Sequence, residues 1–395
     1  MSWPLVELDK VCLFENGDRG KNYPSKDAFV ESGVPFINAG HLTEDGIDLA
    51  SMNYITEQRF DLLSNGKVRP GDILFCLRGS LGKFSIVNGI SQGAIASSLV
   101  IMRPNEKIDL SFLAHYLGSP LCRQQINKFE NGAAQPNLSA RDLKSFTIPL
   151  PPLAEQKRIA VILDKADAIR RKRQQAIQLA EEFLRSVFLD MFGDPVTNPK
   201  GWAVIELGEL IDEGDKLNYG VVQPGDHDSE GIPLVRSGDL YDTAPDVSSL
   251  RRVSSEIDHK HRKSRLKGNE ILIACVGSIG KVGWVSDQMI GWNIARAVTR
   301  IPLKKSVNRE YIYRYLQSPV VQGYFARETR AVAQPTLNVG LIGKTPVLLP
   351  PNELQHKFLN RYTDLNAYKS RQSDSLKQNE MLFTSLSQKA FSGQL

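Results

Sequence analysis

The longest unbroken hydrophobic-polar patterns lie in two stretches, 149–195 and 348–395. The first opens PLPPLAEQKRIAVIL and the second LLPPNELQHKFLNRY. A proline pair suits a helix start, because proline's fixed φ fits the first turn and its missing N–H is not needed there. Glu155 and Glu353 follow where the helix dipole favours negative charge. The first stretch stops at Gly193, Asp194 and Pro195. Between start and stop there is no Gly or Pro for about 40 residues, against a mean helix of roughly 12. At ~1.5 Å per residue each helix would be ~60 Å long. Ile159, Ile162, Ala166, Ile169, Ala176, Ala180, Phe183 and Val187 recur at mostly helical spacing, with Arg173 interrupting. The second stretch carries Phe358, Tyr362, Leu365, Phe383, Leu386 and Ala390, with Gln372 and Asn379 between. Such narrow stripes predict two coiled-coil-like helices that pair antiparallel. Two helices lying on separate domain cores is the alternative.

Elsewhere the apolar runs are short and lie between turn signals. DILFCL at 72–77, FSIV at 84–87 and SSLVIM at 97–102 read as strands. SFLAHYLGS at 111–119 and REYIYRYLQS at 309–318 read as helices. The globular segments are therefore mixed α/β with a mainly antiparallel or mixed sheet.

These patterns occur twice. WPLVELDKV matches WAVIELGEL, GVPFINAGHL matches GIPLVRSGDL, GDILFCLRGSLGK matches NEILIACVGSIGK, and AAQPNL matches VAQPTL. The offset stays near 199 residues: Trp3 to Trp202 is 199 and Gly79 to Gly277 is 198. A collinear repeat of this period indicates a duplicated domain rather than a solenoid. The expected organisation is a domain at 1–150, a helix at 151–194, a second domain at 195–349 and a second helix at 350–395. Antiparallel helices would then place the domains at opposite ends of a rod with an approximate twofold axis. Duplex DNA has such axes too. Loops between matched blocks diverge, as FENGDRGKNYP does from DEGDKLNYGVVQPGD.

The net charge of +5 permits an anionic partner without demanding one. The four cysteines show no CxxC or zinc-ligand spacing, which suggests buried thiols in a reducing compartment. No apolar run reaches the roughly 18 residues of a membrane span, and the N-terminus lacks a signal-peptide pattern. A cytoplasmic protein with no membrane association is expected.

The tightest shared motif, GSLGK at 79–83 and GSIGK at 277–281, follows a strand but fails as a P-loop. The required earlier glycine is Leu77 or Cys275, and Phe84 or Val282 replaces the hydroxyl. Two compatible readings remain: the glycines form a structural turn, and their backbone N–H groups with Lys83 and Lys281 approach phosphate. Gln135, Asn137 and Gln334 sit in the Gln-Pro loops and could serve a rigid turn or a base edge; Arg78 precedes the first glycine turn. The run RRVSSEIDHKHRKSRLK at 251–267 holds seven Lys or Arg against two acids. Its Arg251, Arg252, Lys260, Arg262, Lys263 and Arg265 are candidate phosphate contacts. His259 and His261 have no companion ligands, so no metal site is expected. No catalytic motif set is present, and a non-catalytic chain with no cofactor of its own follows.

Taken together, LPPLAEQKRIAVILDKADAIRRKRQ at 150–174 with its echo at 349–358, the GDIL…GSLGK and NEIL…GSIGK blocks, and the QPNL and QPTL loops resemble the specificity (S) subunit of Type I restriction-modification systems. The resemblance covers essentially the whole chain. It implies two target recognition domains, each reading half of a gapped double-stranded DNA sequence. It implies that the helices set the gap and dock two methyltransferase (M) subunits, with restriction (R) subunits joining them. S-adenosylmethionine, ATP and Mg are expected on those partners. The second helix start, PPNELQHKF, departs from PPLAEQKRI and implies a weaker partner contact there. A non-DNA adaptor joining two protein-binding domains is the rival reading.

Overall fold

The computed structural model describes residues 3–129, 137–195, 197–329 and 336–395. The chain forms two compact units, Met1–Gln175 with Gln372–Leu395 (unit 1) and Ala176–Arg371 (unit 2). The strands of unit 1 are β1 (Leu5–Glu7), β2 (Cys12–Asn16), β3 (Val34–Ile37), β4 (Leu42–Thr43), β5 (Gly46–Ile47), β6 (Asn53–Ile55), β7 (Lys67–Val68), β8 (Ile73–Cys76), β9 (Phe84–Ile86), β10 (Gly93–Ile95), β11 (Leu99–Pro104) and β12 (Thr147–Pro149). Its short helices are α1 (Glu57–Asp61), α2 (Leu110–Leu117), α3 (Pro120–Phe129) and α4 (Ala140–Lys144), ahead of the long helix α5 (Leu153–Phe192). Unit 2 contains β13 (Ala203–Glu206), β14 (Asn218–Tyr219), β15 (Ile232–Val235), β16 (Arg251–Val253), β17 (Glu270–Ala274), β18 (Val282–Trp284), β19 (Asn293–Ile294), β20 (Val298–Pro302) and β21 (Pro346–Leu349). With them come α6 (Ser255–Lys260), α7 (Arg309–Gln317), α8 (Pro319–Thr329), α9 (Val339–Gly343) and the second long helix, α10 (Asn352–Ser392).

The two units share one topology, apart from β4, β5 and β7, which have no strand counterpart among the described residues of unit 2. In unit 1 an antiparallel sheet runs β2-β11-β8-β9 and a second sheet runs β6-β3-β10-β7, with β3 parallel to β10. Unit 2 repeats them as β14-β20-β17-β18 and β16-β15-β19, with β15 parallel to β19. The mixed α/β expectation is met, and the predicted strands and helices appear within a residue or two. Helices α3 and α8 were not predicted. Each starts at the Ser-Pro that ends the preceding helix, proline occupying its first position.

Strand β8 is buried on both faces, which explains its continuous apolar run rather than an alternation. Ile73 and Phe75 face the helices, whereas Leu74 and Cys76 pack against Ile37, Val68 and Ile95 of the second sheet. In unit 2, Ile271 and Ile273 face the helices and Leu272 and Ala274 the second sheet. The helical side of each core is closed by both long helices. Unit 1 receives Ile159, Ala160 and Leu163 from α5 and Ala390 and Phe391 from α10. Unit 2 receives Val187, Phe188 and Phe192 from α5 and Phe358 and Leu359 from α10. Phe391 lies 5.3 Å from Phe112 and 5.9 Å from Tyr116 between ring centroids. Its counterpart Phe192 lies 5.6 Å from Tyr311. The matched tryptophans finish the helix ends. Trp3 Nε1 donates to Ala390 O at 3.2 Å, beside the Gly393 N–H at 3.5 Å, and Trp202 Nε1 donates to Phe192 O at 3.0 Å, so that each supplies a donor to a carbonyl of the last turn.

The helices thus pack within each unit, but the first stripe runs in a different register from the one expected. The inward positions of α5 are Ile159, Leu163, Ala166, Arg170, Arg173, Ile177, Ala180, Leu184, Val187 and Met191, all buried or half-buried. Ile162 and Ala176 are flanking positions, while Ile169 and Phe183 are 50 % and 55 % exposed. Those of α10 follow at an offset of 199: Phe358, Tyr362, Leu365, Lys369, Gln372, Leu376, Asn379, Phe383, Leu386 and Ala390. Both sets alternate steps of four and three, a heptad seam. Its middle is polar. Arg173 donates to Gln372, its own counterpart, at 3.0 Å. Arg170 is held by Asp167 at 2.9 Å and by Glu44 of the β4–β5 turn at 3.2 Å.

Each unit also sets an arginine of its central sheet between two carboxylates, half-buried in unit 1 and fully buried in unit 2. Arg103 on β11 meets Asp72 at 2.7 Å and Glu15 at 3.5 Å. Arg300 on β20 is fully buried, contacts Glu270 at 3.0 Å and bonds Asp215. Burial alone would raise the Asp215 carboxyl, but hydrogen bonds from Arg300 and Lys267 hold it at about 2.

Two outcomes follow from this packing. Phe391→Ala should destabilise unit 1 by about 3–5 kcal/mol, as aromatic deletions in a packed core do. Hydrogen exchange should speed up at α2, and unchanged protection of residues 110–117 would contradict the docking. Arg300→Leu removes the cation between the buried Glu270 and Asp215, leaving Asp215 with Lys267 alone, and should cost unit 2 about 3–5 kcal/mol near neutral pH. Asp215 has a folded pKa below its unfolded value of about 3.9, so its stabilisation is present above that pH and is lost as pH falls towards 2. The deficit of Arg300→Leu should therefore shrink over that window, by part of the shift only, because Lys267 and the Lys216 N–H also hold the Asp215 carboxylate. Urea unfolding followed by tryptophan fluorescence reports it, and a deficit independent of pH would refute the assignment.

Candidate nucleic-acid interface

The GSxGK turns are built alike. Gly79 and Gly82 have φ of 81° and 78°, and Gly277 and Gly280 have 80° and 81°. A side chain at any of the four would be strained. Gly82 and Gly280 additionally face the side-chain ends of Ile126 and Gln322 at under 3 Å from an added Cβ, so a side chain there would also make these neighbours shift. Each turn's lysine reaches across to the short helical turn after β3 or β15. Lys83 Nζ donates to Ala39 O at 3.0 Å and Lys281 Nζ to Gly238 O at 3.2 Å. Lys281 also stands 4.3 Å from the centre of the Tyr241 ring. Lys83 is exposed and Lys281 half-buried, and neither is paired with a carboxylate among the described residues. They lock the turn, and the structural reading of this motif is thereby realised.

Three remote stretches meet beside each turn. In unit 1, Leu77 N–H donates to Ser98 O at 2.9 Å and Leu138 N–H to Leu77 O at 2.9 Å. Arg78 and Asn137 form a β-bridge. In unit 2, Cys275 N–H donates to Ala297 O at 2.8 Å and Leu337 N–H to Cys275 O at 3.0 Å. The backbone frame is the same, whereas the side chains upon it differ, four of them exposed and Ser97 and Thr336 half-buried. Arg78, Ser97 and Asn137 stand where unit 2 has Val276, Arg296 and Thr336. Gln135 and Gln334 lie outside the described residues.

The basic run of unit 2 folds into strand β16, helix α6 and a 3₁₀ turn, Arg262–Ser264. Part of its charge is used internally. Lys260 pairs with Glu256 at 2.7 Å, Lys267 with Asp215 at 2.8 Å, and Arg265 with the buried Asp258. Arg251 and Arg252 donate to the carbonyls of Gly225 and Gly231, bonds that fix their direction without cancelling their charge. Arg262 and Lys263 are exposed and have no side-chain partner among the described residues. Their turn is supported from within. Arg300 Nη1 and Asn218 Nδ2 both donate to Lys263 O, at 2.7 and 2.9 Å. Four cations of the run therefore lack a carboxylate, and two of them are displayed on a turn anchored to the buried arginine.

Of the residues chosen from sequence, Arg78 and Asn137 come together, the two lysines take equivalent turn-locking places, and the basic run is divided between support and display. Arg296 was passed over. Its signal was a single cation at the place of Ser97 when the halves are aligned. Among the described residues no group of His, Cys, Asp or Glu could hold a metal ion, and no helix is long and apolar enough to cross a membrane. The four cysteines are buried and free. Burial pushes the Cys12 and Cys122 thiols up to about 12.

The Type I restriction modification DNA specificity domain matches residues 2–179 and again 199–378. The whole chain is similar, at 30 % identity, to the specificity subunit of Type I restriction enzyme EcoBI of Escherichia coli, covering 86 % of it. Similarity to the EcoKI specificity subunit of Escherichia coli (strain K12) is 24 % over 83 % of this chain and 76 % of that one. The fold matches that of the Type I restriction-modification S subunit from M. genitalium with a TM-score of 0.57 at 16 % identity, over 99 % of this chain and 96 % of that one. A chain solved in work on assembly and conformational transition of the type I restriction-modification system matches with a TM-score of 0.62 at 19 % identity, over 100 % of this chain and 98 % of that one. The chain belongs to the specificity-subunit family of Type I restriction-modification systems, the DNA-recognising and non-catalytic subunit of those assemblies, with its specificity domain present twice.

Proposed function

We propose that this chain addresses its complex to a two-part double-stranded DNA target, with residues 1–150 reading one half-site and residues 195–349 the other. Helices α5 and α10 set the gap between the half-sites and dock two methyltransferase subunits, to which restriction subunits add. S-adenosylmethionine, ATP and Mg act on those partners in the cytoplasm. The observation that carries the reading is the doubled frame: two domains with one backbone framework display different exposed side chains from it. That is what two related readers of different sequences require, because base edges are read by side chains while the frame only positions them. The uncompensated Arg251, Arg252, Arg262 and Lys263 supply sequence-independent attraction to phosphate.

A genome-wide map of methylated adenine, with and without the gene, tests this. Deletion should remove one split, gapped motif. Replacing residues 1–150 by those of a relative should change one half of that motif only. A change in both halves would reject the assignment of one half-site per domain.

Phosphate contacts have a separate signature. Arg262→Ala combined with Lys263→Ala should weaken binding of the assembled complex about equally on all sequences. The slope of log affinity against log salt should fall by about two, each phosphate contact contributing roughly 0.9. An unchanged slope would remove these two residues from the interface.

A further inference from the structure

The second unit carries an unused arginine at the point where its three stretches converge. Most arginines of the segment 203–349 are committed. Arg300 is buried between carboxylates, Arg265 and Arg236 pair with Asp258 and Asp239, and Arg314 pairs with Asp242. Arg309 Nη1 holds the carbonyl of Gly268, and Arg251 and Arg252 hold carbonyls as described. Among the described arginines of this segment, Arg262, Arg296 and Arg327 have no hydrogen bond or ion pair at the guanidinium. Of these, Arg296 alone sits on the shared frame, in the turn between β19 and β20. It is exposed, and it lines a cavity of about 430 Å³ with Tyr219, Cys275, Val276, Ala297 and Thr336.

We propose that Arg296 is a specificity-determining residue of the second domain, contacting a guanine edge in the major groove, and that Arg78 with Asn137 takes the corresponding role in the first. The inference rests on the DNA-addressing reading above and deepens it. Three observations carry it. The frame around Arg296 is held by backbone bonds, Arg296 N–H to Val221 O at 2.8 Å and Cys275 N–H to Ala297 O at 2.8 Å, so its side chain is not needed for the fold. The cation changes place between the domains, from the strand end (Arg78, against Val276) to the turn (Arg296, against Ser97). A residue serving the common framework would keep its place, whereas one serving a domain-specific ligand need not. Finally, the chemistry suits a base. Guanidinium presents two parallel donors that match guanine O6 and N7, and an asparagine such as Asn137 matches adenine in the same way. The neighbouring Val276 is 37 % exposed, an apolar surface of the kind that meets a thymine methyl.

The test uses the full chain assembled with its methyltransferase subunits, carrying Arg296→Ser, Arg296→Ala or Arg296→Lys. Arg296→Ser installs the residue that the first domain has at this place, so the frame should persist, and thermal melting of the complex checks it. The readout is the methylated motif together with the ratio of methylation rates on cognate and single-base-changed duplexes. Arg296→Ser and Arg296→Ala should make one position degenerate in the half-site read by residues 195–349, with discrimination there falling roughly ten- to hundredfold. The other half should be unchanged. Arg296→Lys should not restore discrimination, because an ammonium lacks the two-pronged donor geometry. A motif unchanged in every variant would overturn the proposal. So would a uniform loss of binding that lysine rescues, which marks a phosphate contact. If the wild-type complex itself confers no split motif, the DNA-addressing reading fails and this inference with it.

Discussion

Each α/β core in this chain is completed by segments of both long helices, and in unit 1 one of those segments, Gln372–Leu395, is remote in sequence from the rest. Unit 1 is sealed on its helical side by the beginning of α5 and the end of α10, with Phe391 set against Phe112 and Tyr116. Unit 2 is sealed by the end of α5 and the beginning of α10, where Phe192 and Phe358 lie 5.2 Å apart. An isolated helix with a polar mid-seam would have little to hold it, since helices in proteins take most of their stability from an amphipathic face buried against something else. The dependence therefore runs both ways. The cores need the helices to cover Ile73, Phe75, Ile271 and Ile273, and the helices need the cores to hold their ends. One consequence concerns folding. The first unit cannot close until residues 372–395 are made, so its closing contacts have high sequence separation and are expected to form late.

The buried charges connect this packing to the surface. Arg103 and Arg300 both stand on the strand next to the double-sided β8 or β17, and both find a carboxylate at the start of that strand, Asp72 or Glu270. They are not at the same register. Arg103 precedes Pro104 directly, whereas Arg300 is separated from Pro302 by Ile301, and the second carboxylate is correspondingly Glu15 in one unit and Asp215 in the other. The shift gives Arg300 a further use. Its guanidinium reaches the carbonyl of Lys263 and so fixes the turn that displays Arg262 and Lys263. A cation that is itself fully buried thereby orients two that are fully available. Surface ion pairs contribute little to stability, so Lys260–Glu256 is better understood as removing one charge from the display than as holding the fold.

Much of this was legible in the sequence, and the exceptions have physical causes. The duplication, the strands and the two long helices followed from periodicity and breakers. The seam of α10 was read correctly at Phe358, Tyr362, Leu365, Phe383, Leu386 and Ala390. The seam of α5 was read one residue early at alternate positions, because Ile162, Ile169 and Phe183 are apolar while the true inward residues include Arg170. Periodicity ranks residues by polarity, and an arginine compensated by Asp167 and Glu44 occupies an inward position that polarity alone denies it. The polar positions of α10, Lys369, Gln372 and Asn379, stand at an offset of 199 from Arg170, Arg173 and Ala180. The less apolar helix thus carried the register of both. The basic run was over-read for the converse reason. Charge counting cannot distinguish Arg265, tied to the buried Asp258, from Arg262, tied to nothing.

Arg296 escaped notice because its meaning is not local. One arginine between Ala295 and Ala297 carries no motif. It acquires significance only when the two halves are superposed and the same three-way junction is seen with its cation in a different place. The junction tolerates that exchange because backbone N–H and C=O groups alone hold it, through Cys275, Ala297 and Leu337 in one unit and Leu77, Ser98 and Leu138 in the other. Side chains at 78, 97 and 137, and at 276 and 296, take no part in those bonds. Positions of that kind can change without loss of stability, and a domain that must acquire new targets while keeping its partners needs such positions. The rigidity of the frame and the variability of what it displays are therefore one property. Bonds that use only the main chain leave the side chains free to be read by something else.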